Sequence, residues 1–185
     1  FCGNFLTMQE KKRAVFFDRD GVILKVVIEN GIPRPPQSIA EYKEKSGIIP
    51  GAREAIIGVQ KVGFLAILAT NQPDIHYGLI TQRDFDYIQG QVAALPFDDI
   101  FICFHGREEG CACKKPKPWM LLEAAKKWNI DLSRSFMVGD SAADVGAARA
   151  AGCKSVLVNV SYNTAVVSDI RIHSLTELSR VISLE

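Results

Sequence analysis

The chain has 185 residues, a length that suits one domain with a single sizeable core. Hydrophobic residues make up 48% of it and charged residues 23%, as in an ordinary globular protein. The formal net charge of +1 leaves no broad basic field for nucleic acid or a membrane surface. The longest apolar runs, such as FLAILA at residues 64–69, are far below the ~20 residues that a membrane-spanning helix needs.

The first residues, FCGNFLTMQEKKR, are not typical of a signal peptide, because the apolar part is short and the charges follow it. We interpret residues 1–12 as an N-terminal extension to a single domain over residues 13–185. Within the extension, Met8 is the expected natural start and residues 1–7 a cloning remnant. Without a secretion signal we expect a reducing cytoplasm, where clustered cysteines favour metal ligation or catalysis over disulfides.

Short apolar runs alternate with helical patterns along the chain. The runs typical of buried strands cover residues 14–18, 64–71, 100–104, 135–140 and 155–160. The helical patterns cover residues 51–62, 81–94, 118–128, 142–151 and 174–182. This alternation predicts an α/β fold, a Rossmann-like doubly wound parallel sheet with helices on both faces. Such folds bind ligands at the carboxyl ends of the strands.

Residues 24–51, called the flap below, interrupt the alternation directly after the first strand. The segment holds glycine, four prolines and mixed charge. We predict a small hairpin with loops rather than a second domain.

Polar residues follow the first two predicted strands. Asp18 and Asp20 stand in DRDGV, where two carboxylates can meet one hard cation, or one can attack an electrophile while the other handles protons. A simple turn rich in Asp and Gly explains them equally well. Thr70, Asn71 and Gln72 end the second strand and could hold phosphate oxygens, although strand-end capping is the commoner role of such residues.

The later strands are followed by charged groups. Lys115 precedes a Pro-Lys-Pro run and a predicted helix, whose positive N-terminus would help it to bind an anion, while most lysines are simply solvated. Asp140 ends the fourth strand in GDSAAD, and Asp144 lies one turn into the next helix on the same side. A helix N-cap explains one of these carboxylates but not both.

The segments DRDGV, TNQ, KKPKP and GDSAAD together resemble the four motifs of the haloacid dehalogenase (HAD) superfamily, which consists mainly of phosphatases. The resemblance runs from about Arg13 to Asn163. Within the superfamily, CFHGREEGCACKKPKPWMLLEAA resembles the histidinol-phosphate and D-glycero-D-manno-heptose 1,7-bisphosphate phosphatase group, which carries a zinc loop before the motif lysine. The segments GIPRPPQS and TNQPDI look closer to the heptose bisphosphate branch.

The resemblance implies a HAD core without a cap domain, with a short flap and a zinc loop over residues 103–113. It also implies a Mg²⁺-dependent phosphatase acting on a small phosphorylated metabolite. From the charge and the missing secretion signal we expect a cytoplasmic protein with no nucleic-acid or membrane partner, and we expect a monomer. Heptose bisphosphate in lipopolysaccharide biosynthesis is the first choice of substrate. Histidinol phosphate or another small monoester is the alternative, and a non-catalytic, zinc-stabilised binding domain is less favoured.

The resemblance assigns the reaction to the first motif. Asp18 would be the nucleophile that forms an aspartyl-phosphate, and Asp20 the general acid and then the base. Mg²⁺ would be held by the Asp18 carboxylate, the Asp20 carbonyl and Asp140. Asp144 would be a water-mediated ligand or a partner of the motif lysine. Arg19, between the two acids on an extended chain, is expected to point elsewhere.

The same resemblance assigns phosphate binding to the second and third motifs. Thr70 and Lys115 would bind the transferring phosphoryl group. Asn71 would add a phosphate contact, and Lys114 a contact to the rest of the substrate. We expect Lys117 to be solvated surface.

Cys103, His105, Cys111 and Cys113, called the four-ligand cluster below, follow the pattern C-x-H-x₅-C-x-C. Four N and S ligands without a water position are typical of a closed, structural zinc site. A redox pair is disfavoured because C-x-x-C is absent, and a nucleic-acid zinc finger because its ligand spacing is missing. Chance cysteines beside a surface histidine remain an alternative. Cys2 and Cys153 are expected to be ordinary.

Three positions depart from the heptose branch. Ser141 stands where Lys or Arg is common, and Lys114 stands where Arg is common. Ile75-His76-Tyr77 stands where an Ala-Arg pair is frequent. Each change removes positive charge or the bidentate fork of arginine. The remaining candidates to bind a second phosphate are Lys114, His76, Arg34 and Lys25.

Overall fold

A computed structural model describes residues 10–184. The expected start at Met8 and the predicted cloning remnant lie outside the described residues. Lys12 already belongs to the folded chain, because its amide donates to the Asn129 carbonyl and its own carbonyl accepts from the Asp131 amide. The assignment of residues 13–185 to a single domain stays a prediction.

Six strands form one parallel sheet in the order β5-β4-β1-β6-β7-β8. These strands are β1 (Arg13–Phe17), β4 (Phe64–Asn71), β5 (Asp99–Cys103), β6 (Phe136–Gly139), β7 (Lys154–Val158) and β8 (Ile170–Ile172). The five predicted strands are all present, and the predicted α/β fold is confirmed. The sixth, β8, was not predicted, because a strand of three residues at the sheet edge carries little hydrophobic pattern.

The helices cover both faces of this sheet. They are α1 (Ile39–Lys45), α2 (Ala52–Lys61), α3 (Gln82–Ala93), α4 (Trp119–Trp128), α5 (Ala142–Ala151) and α6 (Leu178–Ser183), with 3₁₀ turns at Leu132–Arg134 and Leu175–Glu177. Along β1, Val15 and Phe17 join the core under α2, α3 and α6, whereas Ala14 and Phe16 join the core under α4 and α5. Burial on both faces explains why β1 is a continuous apolar run.

The flap contains the predicted hairpin, and also a helix that was not predicted. Strands β2 (Val27–Glu29) and β3 (Ile32–Arg34) pair antiparallel across Asn30 and Gly31, whose φ angles of 52° and 80° suit a tight hairpin turn. Helix α1 follows where loops were expected. Its first turn is closed by Ser38, whose hydroxyl accepts from the Glu41 amide, so a capping signal was present in the sequence.

Within the described residues 10–184, every helix is too short or too polar to cross a lipid bilayer.

The burial of the central strands predicts different losses of stability for two leucine-to-alanine substitutions. Leu68 in β4 is fully buried, and its replacement by alanine should lower the free energy of unfolding by about 2–5 kcal/mol through lost burial and a residual cavity. Leu122 on α4 is 44% exposed, so Leu122→Ala should change it by less than about 0.5 kcal/mol. Urea denaturation of both variants measures the difference, and equal losses would contradict the assignment of Leu68 to the core.

Candidate active site

The carboxyl ends of three adjacent strands bring the predicted catalytic groups together. Strand β1 lies between β4 and β6, so the residues at their carboxyl ends, Asp18, Thr70 and Asp140, meet at one edge of the sheet. A cleft of about 590 Å³, called the cleft below, opens there. It is lined by Asp18, Asp20, Val26, Pro33, Arg34, Pro35, Asn71, Pro73, Asp74, Arg107, Asp140, Ser141, Ala142, Tyr162, Asn163 and Val166.

The Lys115 ammonium is buried between two carboxylates. Its Nζ lies 2.9 Å from Asp18 Oδ1 and 2.6 Å from Asp144 Oδ1. Burial by itself lowers the pKa of Lys115, but Asp144 and Asp18 outweigh burial and raise that pKa above its usual value. The lysine is therefore a permanent positive charge at the site, and Asp144 takes one of the two roles considered for it, the partner of the motif lysine.

The carboxylates of this cluster outnumber the cation. Burial first, and then the neighbouring Asp144 charge, raise the pKa of Asp18 to about 7 and that of Asp140 to about 6. One oxygen from each of these three aspartates lies within 4.8 Å of the others. Closely spaced carboxylate oxygens are the ligands that a hard divalent cation prefers, and such an ion would favour the ionised form of each acid. The donor set therefore fits Mg²⁺.

Gly21 permits the close approach of Asp140 to the turn after β1. A Cβ at this position would lie 1.9 Å from Asp140 Oδ2, and the φ angle of 80° also favours glycine. The Tyr162 hydroxyl donates to the same oxygen at 2.5 Å, and Asn163 Nδ2 donates to the Asp140 carbonyl at 2.8 Å. The turn after β1 and the loop at Tyr162 and Asn163 thus fix Asp140.

Asp20 is held by Gln72 and by an arginine that was expected to point elsewhere. Gln72 Nε2 donates to Asp20 Oδ2 at 2.7 Å and to Thr70 Oγ1 at 3.1 Å. The Arg19 guanidinium is buried and lies 3.1 Å from Asp20 Oδ2. The expectation of an extended chain was wrong, because the amides of Ile23 and Leu24 both donate to the Arg19 carbonyl and make a tight turn.

Asn71 binds the main chain of Lys115 in addition to lining the cleft. Asn71 Nδ2 donates to the Lys115 carbonyl at 3.1 Å, and the Lys115 amide donates to Asn71 Oδ1 at 3.0 Å. This reciprocal pair positions the lysine backbone from the end of β4. A phosphate contact from Asn71 stays a prediction.

The four-ligand cluster converges at the end of β5. Cys103 Sγ lies 3.7 Å from Cys111 Sγ and 3.6 Å from His105 Nδ1, and Cys111 Sγ lies 3.7 Å from Cys113 Sγ. Two thiolates of a tetrahedral zinc site lie about 3.8 Å apart when each Zn–S bond is about 2.3 Å. These separations fit the ion. The Cys103–Cys113 pair, at 2.9 Å, would have to separate around it.

Both lysines that flank Lys115 bind carbonyls of the zinc loop. Lys114 Nζ donates to the His105 carbonyl at 3.0 Å, and Lys117 Nζ donates to the Gly110 carbonyl at 3.0 Å and to the Cys111 carbonyl. Lys114 is thus engaged within the loop, where a substrate contact was predicted. Lys117 is exposed as expected, but it is bound to the loop rather than only to solvent.

Two of the candidates for a second phosphate are already paired. The His76 ring lies 2.8 Å from Glu108 Oε1 and 3.2 Å from Glu109 Oε2. Arg34 lines the cleft but forms ion pairs with Glu29 at 2.8 Å and Glu41 at 2.7 Å. Lys25 is exposed and is not among the residues that line the cleft.

Sequence reasoning missed three residues of the site and the role of a fourth, Gln72. Gln72 was visible in the TNQ motif, but its bridge between Thr70 and Asp20 depends on the strand end. The residues without any sequence signal were Tyr162, Asn163 and Arg107. They come from loops that only the fold brings to the cleft.

Comparison with known proteins identifies the family. A family model described as HAD-hydrolase-like matches residues 112–170. A D-glycero-β-D-manno-heptose-1,7-bisphosphate 7-phosphatase from Helicobacter pylori is 36% identical over 153 residues, covering 79% of this chain and 82% of the relative. The enzyme of the same name from Yersinia pestis is 32% identical, covering 95% and 97%.

The chain belongs to the HAD-like phosphatase family. Among solved structures of HAD-like proteins, the D,D-heptose 1,7-bisphosphate phosphatase from B. bronchiseptica, in complex with magnesium and phosphate, superposes with a TM-score of 0.76 at 27% identity. This match covers 93% of this chain and 98% of that one. A solved structure named as a putative HAD-like phosphatase from Mesorhizobium loti gives a TM-score of 0.72 at 26% identity. This match covers 95% of this chain and 86% of that one. The predicted membership of the superfamily is confirmed.

The raised pKa of Asp18 predicts how stability changes with pH in Mg²⁺-free protein. A carboxyl with a pKa of about 7 in the fold and an ordinary value of 3.8 contributes its full stability at low pH and loses it as the pH rises through 7. We therefore expect the free energy of unfolding of the wild type to fall over this window, and to fall less in Asp18→Asn.

Urea denaturation at intervals from about pH 4 to about pH 8, without Mg²⁺ or chelators, measures this difference. Asp86→Asn, at an exposed site on α3, is the matched control and should follow the wild type. Parallel profiles for Asp18→Asn and the wild type would contradict the burial of an uncompensated charge at Asp18.

Proposed function

We propose that this HAD-like phosphatase removes the 7-phosphate from D-glycero-β-D-manno-heptose 1,7-bisphosphate, with Asp18 as the nucleophile. The observation that carries the proposal is the buried Lys115 between Asp18 and Asp144, beside Asp20 and Asp140 at the strand ends. The names of the relatives from Helicobacter pylori, Vibrio cholerae and Yersinia pestis support the substrate.

Asp18 would attack phosphorus through Oδ2. The Lys115 ammonium and the Arg19 amide both bind Oδ1, and Oδ2 has no hydrogen bond among the described residues. The attack forms a bond between this oxygen and phosphorus and breaks the ester bond, so that Asp18 carries the phosphoryl group. Lys115 is placed to bind the phosphoryl oxygens on which negative charge develops.

Asp20 would move the proton in both steps. It gives its proton to the leaving sugar oxygen and then takes one from the water that attacks the aspartyl-phosphate, which releases inorganic phosphate and regenerates Asp18. Gln72 and Arg19 hold the Asp20 carboxylate in one orientation. Their positions explain how a carboxylate in an open cleft keeps the geometry that proton transfer requires.

The Asp18 carboxylate, the Asp20 carbonyl and Asp140 would hold Mg²⁺. When bound, the ion supplies charge neutralisation between the anionic nucleophile and the anionic phosphate. Tyr162 and Asn163 orient Asp140 for this task. The magnesium and phosphate in the structurally similar enzyme from B. bronchiseptica support the assignment.

The four-ligand cluster would hold a structural zinc ion. Its ligand atoms all lie within 4.8 Å of one another, and Cys113 is separated from Lys115 by one residue. Zinc there would fix the loop that presents Lys115, without taking part in the reaction. Cys103, Cys111 and Cys113 are free thiols in the structure, which is compatible with metal ligation.

We also propose that the enzyme is a monomer located in the cytoplasm. A small sugar phosphate as substrate is the reason for placing the enzyme in the cytoplasm. The monomer rests on the expectation from the sequence alone.

Replacement of Asp18 by asparagine should abolish turnover, because the amide cannot form the aspartyl-phosphate. We expect kcat to fall by more than about 1000-fold. The assay is phosphate release with Mg²⁺ from a panel of heptose 1,7-bisphosphate of both anomers, histidinol phosphate and fructose 1,6-bisphosphate. Asp86→Asn should match the wild type. Turnover by Asp18→Asn at the wild-type rate would reject Asp18 as the nucleophile.

Elemental analysis tests the zinc proposal. Freshly purified protein should carry about one equivalent of zinc, as expected for one closed four-ligand site, and Cys111→Ser should lose it. Cys153→Ser removes a cysteine outside the cluster and should keep the metal. Absence of zinc from the wild type, or its retention by Cys111→Ser, would contradict this ligand set.

A further inference from the structure

The two arginines that line the cleft differ in what they bind. Each of the terminal nitrogens of Arg34 donates to Glu41, at 2.8 and 2.7 Å, and its Nε donates to Glu29 at 2.8 Å. In contrast, the Arg107 guanidinium makes no hydrogen bond or ion pair with any residue in the described range 10–184. Arg107 therefore has its full set of donors available to a ligand.

The main chain at Arg107 is held although its side chain is free of partners within the described residues. The Arg107 amide donates to the Tyr77 hydroxyl at 2.6 Å, and that hydroxyl donates to Glu108 Oε2 at 2.9 Å. His76 lies between Glu108 and Glu109, as described above. These contacts clamp the tip of the zinc loop to the segment that follows β4, so the guanidinium is presented from a fixed backbone.

Most of the charged residues that line the cleft are acidic, which limits where a second anionic group can bind. Asp18, Asp20, Asp74 and Asp140 line it, and they would repel an additional phosphate. Lys115 is taken by Asp18 and Asp144 and would serve the transferring phosphoryl group. Arg107 lines both the cleft and an adjoining cavity of about 320 Å³, which also contains Lys114 and Lys117.

We infer that Arg107 binds the phosphate of the bisphosphate substrate that is not hydrolysed. This inference rests on the proposed function, and it makes Arg107 a specificity-determining residue of the same site. A guanidinium binds two phosphate oxygens through parallel N–H donors, which a lysine ammonium cannot reproduce. Arg107 in the zinc loop would thus bind the remaining phosphate, and Lys115, two residues after the loop, the reacting one.

This assignment accounts for the departures of the chain from the heptose branch. Ser141 lines the cleft without charge, and Lys114 is bound to the His105 carbonyl. His76 and Tyr77, which stand in place of the frequent pair, bind the zinc loop and do not line the cleft. They bind Glu108 and the Arg107 amide, and so position the loop from which the guanidinium reaches the cleft.

The test compares substrates that differ only in the second phosphate. The pairs are heptose 1,7-bisphosphate with heptose 7-phosphate, and fructose 1,6-bisphosphate with fructose 6-phosphate. The ratio of kcat/KM within each pair measures the contribution of the second group. We expect Arg107→Ala to lower the ratio for the preferred pair by about 10- to 100-fold, through kcat/KM of the bisphosphate alone.

Arg107→Lys should give an intermediate ratio, because the charge is kept and the fork is lost. Arg83→Ala, at an exposed arginine on α3, is the matched control and should leave every ratio unchanged. If Arg107→Ala keeps the wild-type ratio, or if the wild type prefers no bisphosphate over its monophosphate, the inference is overturned. If the fructose pair is preferred and depends on Arg107, the inference holds and only the heptose substrate is rejected.

Discussion

The site depends on one buried positive charge, the Lys115 ammonium between Asp18 and Asp144. Its contacts of 2.9 and 2.6 Å join the end of β1, the loop before α4 and the first turn of α5. Removing one partner of a buried ion pair typically costs about 3–5 kcal/mol, because the other charge is left without compensation. The interaction that positions Asp18, the proposed nucleophile, is therefore also one that holds these three segments at the same strand ends.

The position of Lys115 is fixed by its backbone rather than by its side chain alone. Asn71 makes a reciprocal pair of hydrogen bonds with its main chain, and the four-ligand cluster closes the preceding loop. Lys114 and Lys117 bind carbonyls of that loop, and among these three lysines it is Lys115 that contacts Asp18. The cysteines and the positive charge are adjacent in the sequence because the loop that contains the cysteines leads directly to Lys115.

The main elements were predictable because both faces of the sheet are buried. Continuous apolar runs mark strands such as β1 and β4, and the residues directly after them are forced to the ligand-binding edge. Short elements were not predictable in the same way. Strand β8 has three residues, and α1 has seven and buries none of them fully, so neither leaves a strong hydrophobic period.

The sequence by itself determined which chemical groups reach the site and in what order, since a parallel sheet carries the residues that end its strands to one edge. Only the tertiary structure decided which partner each group binds. Arg19 turns back onto Asp20, Tyr162 reaches Asp140 from a distant loop, and Arg107 faces the cleft from the zinc loop. Such pairings depend on turn geometry and on segments far apart in the chain, and neither is encoded in the spacing of a motif.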